Sequence, residues 1–270
     1  MTNDLEVLAA AVRERRAILF GGAGLSMAVG LPSWTALVDH MRCDLGLADD
    51  TQDVSYQTLA EYYRLTTGSI GALRSWMDRH WTVTDEAVQA SRIHRLIVEL
   101  DFPIIYTTNY DPNLEAAHRL HGRPYVKIAN ARDLTRADDG VTQIVKFHGD
   151  FEDDQSLVIA ETDYFERLNF GSPLDMKFRA DALARTLLFV GYSMSDLNIR
   201  LLLHRLWQTW AQSGYAQHRL PSFVLMSRPD PVQAAVLGQW GVTVLTGEAD
   251  EPGHALERFL EALKAQVDGG

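Results

Sequence analysis

Three short polar segments carry the side chains of this sequence that could do chemistry, and each follows an apolar, strand-like run. Residues 21–26 are rich in glycine, residues 107–111 pair an amide with a carboxylate, and residues 146–150 hold a lone histidine. A glycine turn lets backbone N–H groups approach a phosphate, and a histidine near its neutral pKa can move protons. Because open α/β sheets bind ligands at the carboxyl ends of their strands, the three segments together predict chemistry on a nucleotide.

The apolar runs predict a doubly wound, mostly parallel Rossmann-like α/β sheet. Most of these runs are separated by helix-length segments, which is the rhythm of βαβ units. The predicted strands cover residues 17–20, 104–106, 125–128, 144–147, 157–159, 187–190, 223–226 and 242–245. Residues 46–100 show helical patterns and no convincing strand, so we expect a small helical insert that covers a cleft. The predicted organisation is a single catalytic domain, 1–270, with the insert at 46–100.

Composition and charge exclude several classes of protein. The net charge of −11 argues against a general nucleic-acid surface, which would need a basic patch. The single cysteine, Cys43, excludes an internal disulfide and a Cys-rich zinc module, and we expect it to be buried on its helix. There is no signal-peptide pattern and no apolar run of about 18 residues. We therefore expect a cytoplasmic protein that uses no metal and contacts neither membrane nor nucleic acid directly.

The glycine turn is not that of an ordinary dehydrogenase. The dinucleotide fingerprint G-x-G-x-x-G would need glycine where this sequence has Met27, and no strand ending in Asp or Glu follows about 20 residues later. The glycine-rich turn, together with Ser26 and Gly30, still allows the backbone to approach a diphosphate. A tight strand–helix turn that binds no ligand stays open as the alternative.

A second alternative is an α/β-hydrolase. Residues 189–195 follow a strand and precede a helix, as a nucleophile elbow would, with Ser193 as nucleophile and Asp230 and His254 downstream in triad order. Against this, Ser195 occupies the final glycine position of G-x-S-x-G. The hydrolase interpretation also leaves the three earlier motifs unexplained.

The polar strand ends are the strongest signal. Asp111 can be explained simply as the cap of a helix that starts at Pro112. Asn109 has no comparable structural explanation, and its side-chain amide needs hydrogen-bond partners. His148 precedes Gly149, whose lack of a side chain would leave room for a substrate. His118 and His121 form no metal motif and are expected on the surface. Asn109 and His148 together therefore indicate a functional site.

Taken in order, the motifs resemble the NAD-binding motifs of sirtuins. The matching segments are 22–26 with 30–32, 108–111, 147–149 and 190–193. The sequence lacks the two Cys-x-x-Cys pairs of protein-deacylating sirtuins, has Thr108 where they have glutamine, and has Pro32-Ser33-Trp34-Thr35 for their Pro-Asp-Phe-Arg. With the Gly-Tyr-Ser-x-Ser-Asp form at 191–196, these departures resemble the sirtuin-like NAD-hydrolase branch of bacterial antiviral defence.

The resemblance implies a function and a set of site residues. NAD⁺ would be the substrate, cleaved without a metal into nicotinamide and ADP-ribose. Asn109 would orient the nicotinamide ribose or the attacking water, Asp111 would hold that geometry, and His148 would transfer a proton. The residues implied in NAD binding are Gly22, Ala23, Gly24, Ser26, Pro32, Trp34, Thr108, Gly191 and Ser193. Two alternatives stay open, namely a protein deacylase or ADP-ribosyltransferase, and a non-catalytic module that senses NAD or ADP-ribose.

Uncontrolled consumption of NAD would poison the cell, so we expect the activity to be gated. The predicted domain and insert occupy all 270 residues, which leaves the trigger to a homo-oligomer or a partner. The resemblance suggests a HerA-like ATPase or an Argonaute-type protein. The helix predicted at 197–210 carries more apolar residues than one core-facing stripe needs, so it either contacts a partner or fills the core.

Overall fold

One parallel sheet organises the part of the chain that is described. The computed structural model describes residues 2–47, 54–169, 171–192, 194, 196–228, 230–247 and 251–270. In these residues seven strands are paired in parallel in the order β3-β4-β2-β1-β5-β6-β7. The strands are β1 (Ala17–Gly21), β2 (Ile104–Thr107), β3 (Tyr125–Ile128), β4 (Thr142–Lys146), β5 (Thr186–Val190), β6 (Ser222–Met226) and β7 (Val242–Thr246).

Helices connect the strands and cover both faces of the sheet, which confirms the predicted doubly wound α/β class. They are α1 (Thr2–Arg13), α2 (Ala23–Met27), α3 (Trp34–Asp44), α4 (Tyr56–Thr67), α5 (Gly71–His80), α6 (Asp85–Ala90), α7 (Arg92–Glu99), α8 (Asn113–Leu120), α9 (Glu161–Arg167), α10 (Pro173–Ala184), α11 (Leu197–Ser213), α12 (Pro231–Gln239) and α13 (Pro252–Asp268). None of the helices described is both long and apolar enough to cross a bilayer.

The alternation of side chains along β1 shows why its sequence is apolar throughout. Leu19 faces a core built with α1, α7 and α13, whereas Ile18 and Phe20 face a second core built with α10, α11 and α12. All five residues of the strand are buried. A central parallel strand has no solvent-facing side, so it needs apolar residues at every position.

A third apolar cluster forms a helical cap, which we define as α3, α4 and α5. Its buried residues include Leu37, Tyr63 and Met77, and Tyr110 from the loop after β2 packs into the same cluster. The later helix α7 also lies within the predicted insert, but its Ile93 belongs to the core against the sheet. The division of the chain into one domain with an insert at 46–100 stays a prediction.

Two sequence-based expectations about individual segments are wrong. Residues 157–159 are buried but form no strand, because they pack into the cap cluster and only Val158 bonds to the backbone of His148 (N to O, 2.9 Å). Cys43 is exposed rather than buried. It lies two residues after the buried Met41, about 200° further round the helix, and therefore on the opposite face.

Candidate active site

The glycine turn lies at the point where the sheet reverses its strand order. After β1 the chain crosses to β2 on one side, while β5 pairs with β1 on the other. The turn at Gly22–Gly24 and the residue Gly191 after β5 contact each other directly, with the Gly24 N–H donating to the Gly191 carbonyl at 3.0 Å. A crevice of this kind, outside the carboxyl ends of the strands, is where doubly wound sheets bind ligands.

Glycine is required in this turn because two backbones approach each other closely. A Cβ atom on Gly22 would lie 2.3 Å from the Tyr192 ring and 2.4 Å from the Gly191 carbonyl oxygen. A Cβ atom on Gly24 would lie 2.7 Å from the Gly191 Cα, and Gly191 itself has a φ of +66°. The glycines thus join the two strand ends as well as keeping side chains out of the crevice.

The amide of Asn109 ties the loop after β2 to the glycine turn. Its Nδ2 donates to the Gly22 carbonyl at 2.9 Å and to the Ser26 Oγ at 2.8 Å. The Ser26 hydroxyl in turn donates to the Asp111 Oδ2 at 2.5 Å. Asn109, Ser26 and Asp111 therefore form one hydrogen-bonded chain along the crevice. We call it the amide relay.

Asp111 is held at both its side chain and its backbone. Its Oδ1 accepts a hydrogen bond from the Asn113 N–H at 3.2 Å, and α8 begins at Asn113, one residue later than the predicted cap would place it. The ammonium of Lys146, which is fully buried, donates to the Asp111 carbonyl. Glu115 lies 3.4 Å from the same ammonium, and burial raises the pKa of its carboxyl group.

His148 follows β4 and has a buried imidazole. The residue is 2% exposed, and its Nε2 has no hydrogen-bond partner among the described residues. Burial lowers the pKa of His148 from 6.5 to about 4, against an opposing effect from the carboxylate of Asp196. The neutral imidazole is thus the form present near pH 7, ready to accept a proton.

A row of aromatic rings, which we call the aromatic wall, begins at His148. The Tyr164 ring lies edge-on to the imidazole at 5.5 Å, and the wall continues through Tyr56 to Trp34. The Trp34 ring is 5.7 Å from that of Trp81, whose buried Nε1 has no partner among the described residues. A planar ring that enters the cleft would meet stacking surfaces on this side.

One cleft of about 1110 Å³ collects these groups. It runs from the aromatic wall, past the glycine turn, to the end of β6 and the first residues of α13. Of the residues predicted for the site, those that line it are Asn109, Asp111, His148, Ala23, Gly24, Ser26, Pro32, Trp34, Thr108 and Gly191. Gly22 does not line the cleft but lies beneath it, against Tyr192. Ser193 falls outside the described residues, and the roles of all these side chains stay predictions.

Several residues that line the cleft were not predicted. Asp196 caps α11, and its position in the segment 191–196, just before a helix, was a signal that could have identified it. Tyr56, Trp81 and Tyr164 had no such signal, because their contribution depends on how the cap packs. The far end of the cleft adds Arg228 and His254.

The α/β-hydrolase alternative gains no support from the described residues. Asp230 is exposed and caps α12, where its Oδ1 accepts from the Val232 N–H at 2.9 Å. His254 lines the cleft, but Asp230 does not. His118, expected on the surface, is instead buried and bonded to the Leu114 carbonyl (Nδ1 to O, 2.8 Å).

Two buried histidines make the stability of the fold sensitive to pH. Burial lowers the pKa values of His94 and His148 from 6.5 to about 4. In the unfolded chain both regain a pKa of about 6.5, so the unfolded state binds more protons between pH 6.5 and pH 4. The stability from these groups is complete above about pH 7 and falls as the pH drops towards 4.

We expect the unfolding free energy to fall between pH 7.5 and pH 5 by about 2 kcal/mol for each of these histidines. Carboxylates titrate in the same range, so the comparison is with the double variant His94→Gln, His148→Gln. Urea unfolding at both pH values measures the difference. An equal loss of stability in wild type and double variant would contradict the assignment.

The fold is that of the doubly wound parallel α/β class, and its cleft lies at the carboxyl ends of the strands, where proteins of this class bind ligands. Residues 103–245, more than half of the chain, match the family model described as the SIR2-like domain. The chain therefore belongs to the SIR2-like family, as the resemblance to sirtuins predicted.

Curated relatives carry names that state an activity. The chain is 34% identical to the NAD(+) hydrolase ThsA of Enterococcus faecium over 198 residues, which cover 72% of this chain and 40% of that protein. It is 28% identical to the NAD(+) hydrolase ThsA of Bacillus cereus (strain MSX-D12) over 83% of this chain and 46% of that protein. It is 25% identical to the Defense-associated sirtuin 2 of Bacillus subtilis over 83% of this chain and 22% of that protein. The chain thus spans less than half the length of these relatives.

Proposed function

We propose that this chain hydrolyses NAD⁺ at the nicotinamide–ribose bond and releases nicotinamide and ADP-ribose, as an effector of antiphage defence. The observation that carries the proposal is the cleft, which collects ten of the predicted site residues beside a histidine nitrogen that has no hydrogen-bond partner among the described residues. The names of the relatives support the same activity.

The residues of the cleft would supply the groups that the reaction requires. Cleavage passes through an oxocarbenium-like state at the anomeric carbon, and water completes the hydrolysis. Ala23, Gly24 and Gly191 would receive the diphosphate at the glycine turn, where no large side chain intervenes. Ser193, for which the role rests on the resemblance, would join them.

The amide relay would fix the reacting ribose. Both Nδ2 protons of Asn109 are already used within the protein, so the side chain is held rigidly and presents its carbonyl oxygen as an acceptor. Asp111 holds the relay through Ser26, and neutral His148 would accept a proton from a ribose hydroxyl or from the attacking water. The aromatic wall would exclude bulk water from the cleft.

The departing nicotinamide ring would meet Trp34 and Pro32 at the aromatic end of the cleft. Thr108 bonds to the Tyr192 hydroxyl, and this contact joins the loop after β2 to the loop after β5. By the resemblance, Thr108 occupies the position at which protein-deacylating sirtuins have glutamine. We propose that threonine, whose hydroxyl is used for this contact, favours water over a peptide acceptor.

Comparing NAD⁺ turnover with and without an acyl-lysine peptide tests the function. We expect nicotinamide and ADP-ribose at the same rate in both cases, with the peptide unchanged. Nicotinamide release that needs the peptide, with the acyl group transferred to ADP-ribose, would instead identify a deacylase. NAD⁺ that binds without turnover would identify a sensing module.

We propose further that the activity is controlled by assembly. On α11, Leu202 and Leu206 are buried in the core, whereas Leu201, Trp207 and Trp210 are half-buried and Leu197 is 64% exposed. On the cap, Tyr62 is 49% exposed and Leu65 is 74% exposed. A homo-oligomer, or a HerA-like ATPase or Argonaute-type partner, would contact this face, and the specific activity would then rise with protein concentration or with the partner.

A further inference from the structure

The charged residue that faces His148 is Asp196, whose carboxylate also caps the helix α11. The Asp196 Oδ2 lies 3.8 Å from the His148 Nε2. The other oxygen of the same carboxylate, Oδ1, caps α11 and accepts from the N–H groups of Asn198 at 2.8 Å and Ile199 at 3.3 Å. The helix thus holds the carboxylate in place, while its other oxygen, Oδ2, faces the imidazole.

The other charged groups near His148 are already paired. Arg167 donates to the Asp175 Oδ1 at 2.7 Å, so these two opposite charges compensate each other. Tyr164 presents only the edge of its ring to the imidazole, and its ring lies 6.4 Å from that of Tyr56. Among the described residues, Asp196 is therefore the acceptor that faces Nε2 through an oxygen with no other hydrogen bond.

A carboxylate accepts hydrogen bonds but donates none, so it selects one tautomer of a neutral histidine. The Nε2 atom is buried away from solvent and has no hydrogen-bond partner among the described residues, so a proton there would be directed at the Asp196 Oδ2, 3.8 Å away. A shift of less than about 1 Å would bring the pair to hydrogen-bond distance. The Nδ1 atom would then keep the lone pair.

We propose that Asp196 is a positioning residue for the reaction. It holds the proton of neutral His148 on Nε2, so that Nδ1 is the base. It then stabilises the imidazolium formed when Nδ1 takes a proton from a ribose hydroxyl or from water. This inference rests on the proposed NAD⁺ hydrolysis for its kinetic consequence, but the tautomer itself does not depend on turnover.

The variant Asp196→Asn separates this role from helix capping. An asparagine at position 196 still caps α11 through its Oδ1, but it directs an N–H towards Nε2 and thereby favours the opposite tautomer. The matched control is Asp230→Asn, since Asp230 caps α12 in the same way and lies outside the cleft. Its kinetics should equal those of the wild type.

Two readouts on the ¹⁵N-histidine-labelled chain test the proposal. NMR at pH 7.5 reports which nitrogen of His148 carries the proton, with the signals assigned through His148→Gln. We expect Nε2–H in the wild type and Nδ1–H in Asp196→Asn. In NAD⁺ hydrolysis we expect kcat to fall by about 100-fold or more in Asp196→Asn with KM within about twofold, because the base would carry its proton on the wrong nitrogen.

Wild-type His148 protonated on Nδ1 would overturn the proposal, and so would a tautomer or a kcat unchanged by Asp196→Asn. The wild-type spectrum needs no variant, so a failure of Asp196→Asn to fold leaves the test intact. If the wild type shows Nε2–H but leaves NAD⁺ intact, the proposed function fails while the assigned contact stands.

Discussion

We expect His148→Gln to lower the rate of NAD⁺ hydrolysis by about 100-fold or more, because a positioned acid–base group contributes about that much. Glutamine retains polarity and much of the volume of histidine but cannot take up a proton near neutral pH. His148 lines the cleft, and its lowered pKa leaves the imidazole unprotonated, with a lone pair that can accept a proton, under these conditions. Nicotinamide release measured by chromatography gives the rate.

The matched control for this change is His118→Gln. Like His148, His118 is 2% exposed and its pKa is lowered by burial, but it does not line the cleft. Both variants should lose some thermal stability, and only the variant at position 148 should lose turnover. Wild-type activity in His148→Gln would remove this histidine from the mechanism.

The second large effect is expected from Asn109→Ala, which removes the amide that begins the relay and ties it to the glycine turn. The Gly22 carbonyl and the Ser26 hydroxyl would each lose a donor, so the glycine turn and Asp111 would lose their fixed positions. We expect kcat/KM for NAD⁺ to fall by about 100-fold or more, since misplacement of reacting groups by about 1 Å costs that much.

Asn130→Ala controls for the loss of an asparagine with similar burial. The Asn130 Nδ2 donates to Asp153 at 3.2 Å and its Oδ1 accepts from the Asp133 N–H at 3.2 Å, outside the cleft. Each variant loses two side-chain hydrogen bonds, worth about 0.5–1.5 kcal/mol apiece, so their melting temperatures should fall by similar amounts. If the two variants keep equal activity, the relay has no catalytic role.

The parallel sheet could be predicted from the sequence because a central strand is apolar at every position. Residues 17–20 carry that signal unambiguously, since helices bury both faces of β1. Residues 157–159 are equally apolar but lie under the helical cap. There, one backbone hydrogen bond to His148 takes the place of the regular hydrogen bonds between paired strands. Apolar runs report burial, and only tertiary contacts decide whether a buried run joins a sheet.

The sequence predicted those residues of the candidate site that belong to recognisable motifs. Asn109 was singled out because an amide at a strand end needs partners, and it has them in Gly22 and Ser26. The glycines were expected to make room for a diphosphate, yet Gly22 and Gly24 are also needed for contact with Gly191. That second reason depends on the pairing of β1 with β5, which no local pattern specifies.

The aromatic wall could not be predicted, because its members come from separate helices. Trp34 begins α3, Tyr56 begins α4 and Trp81 follows α5, and they meet only when the cap packs. Asp196 was predictable from the sequence in one respect and not in another. Its cap position could be read from the sequence, but the approach of its Oδ2 to His148 depends on β4 and β5 ending at the same edge of the sheet.

The most direct test of the central claim is the product balance of NAD⁺ turnover by the purified chain over a wide range of protein concentration. Mass spectrometry of the reaction should find one nicotinamide and one ADP-ribose for each NAD⁺ lost, and His148→Gln should leave NAD⁺ intact. Control by assembly would appear as a specific activity that rises with concentration. NAD⁺ that binds to the wild-type chain yet stays intact at every concentration, or ADP-ribose found attached to protein, would contradict the account.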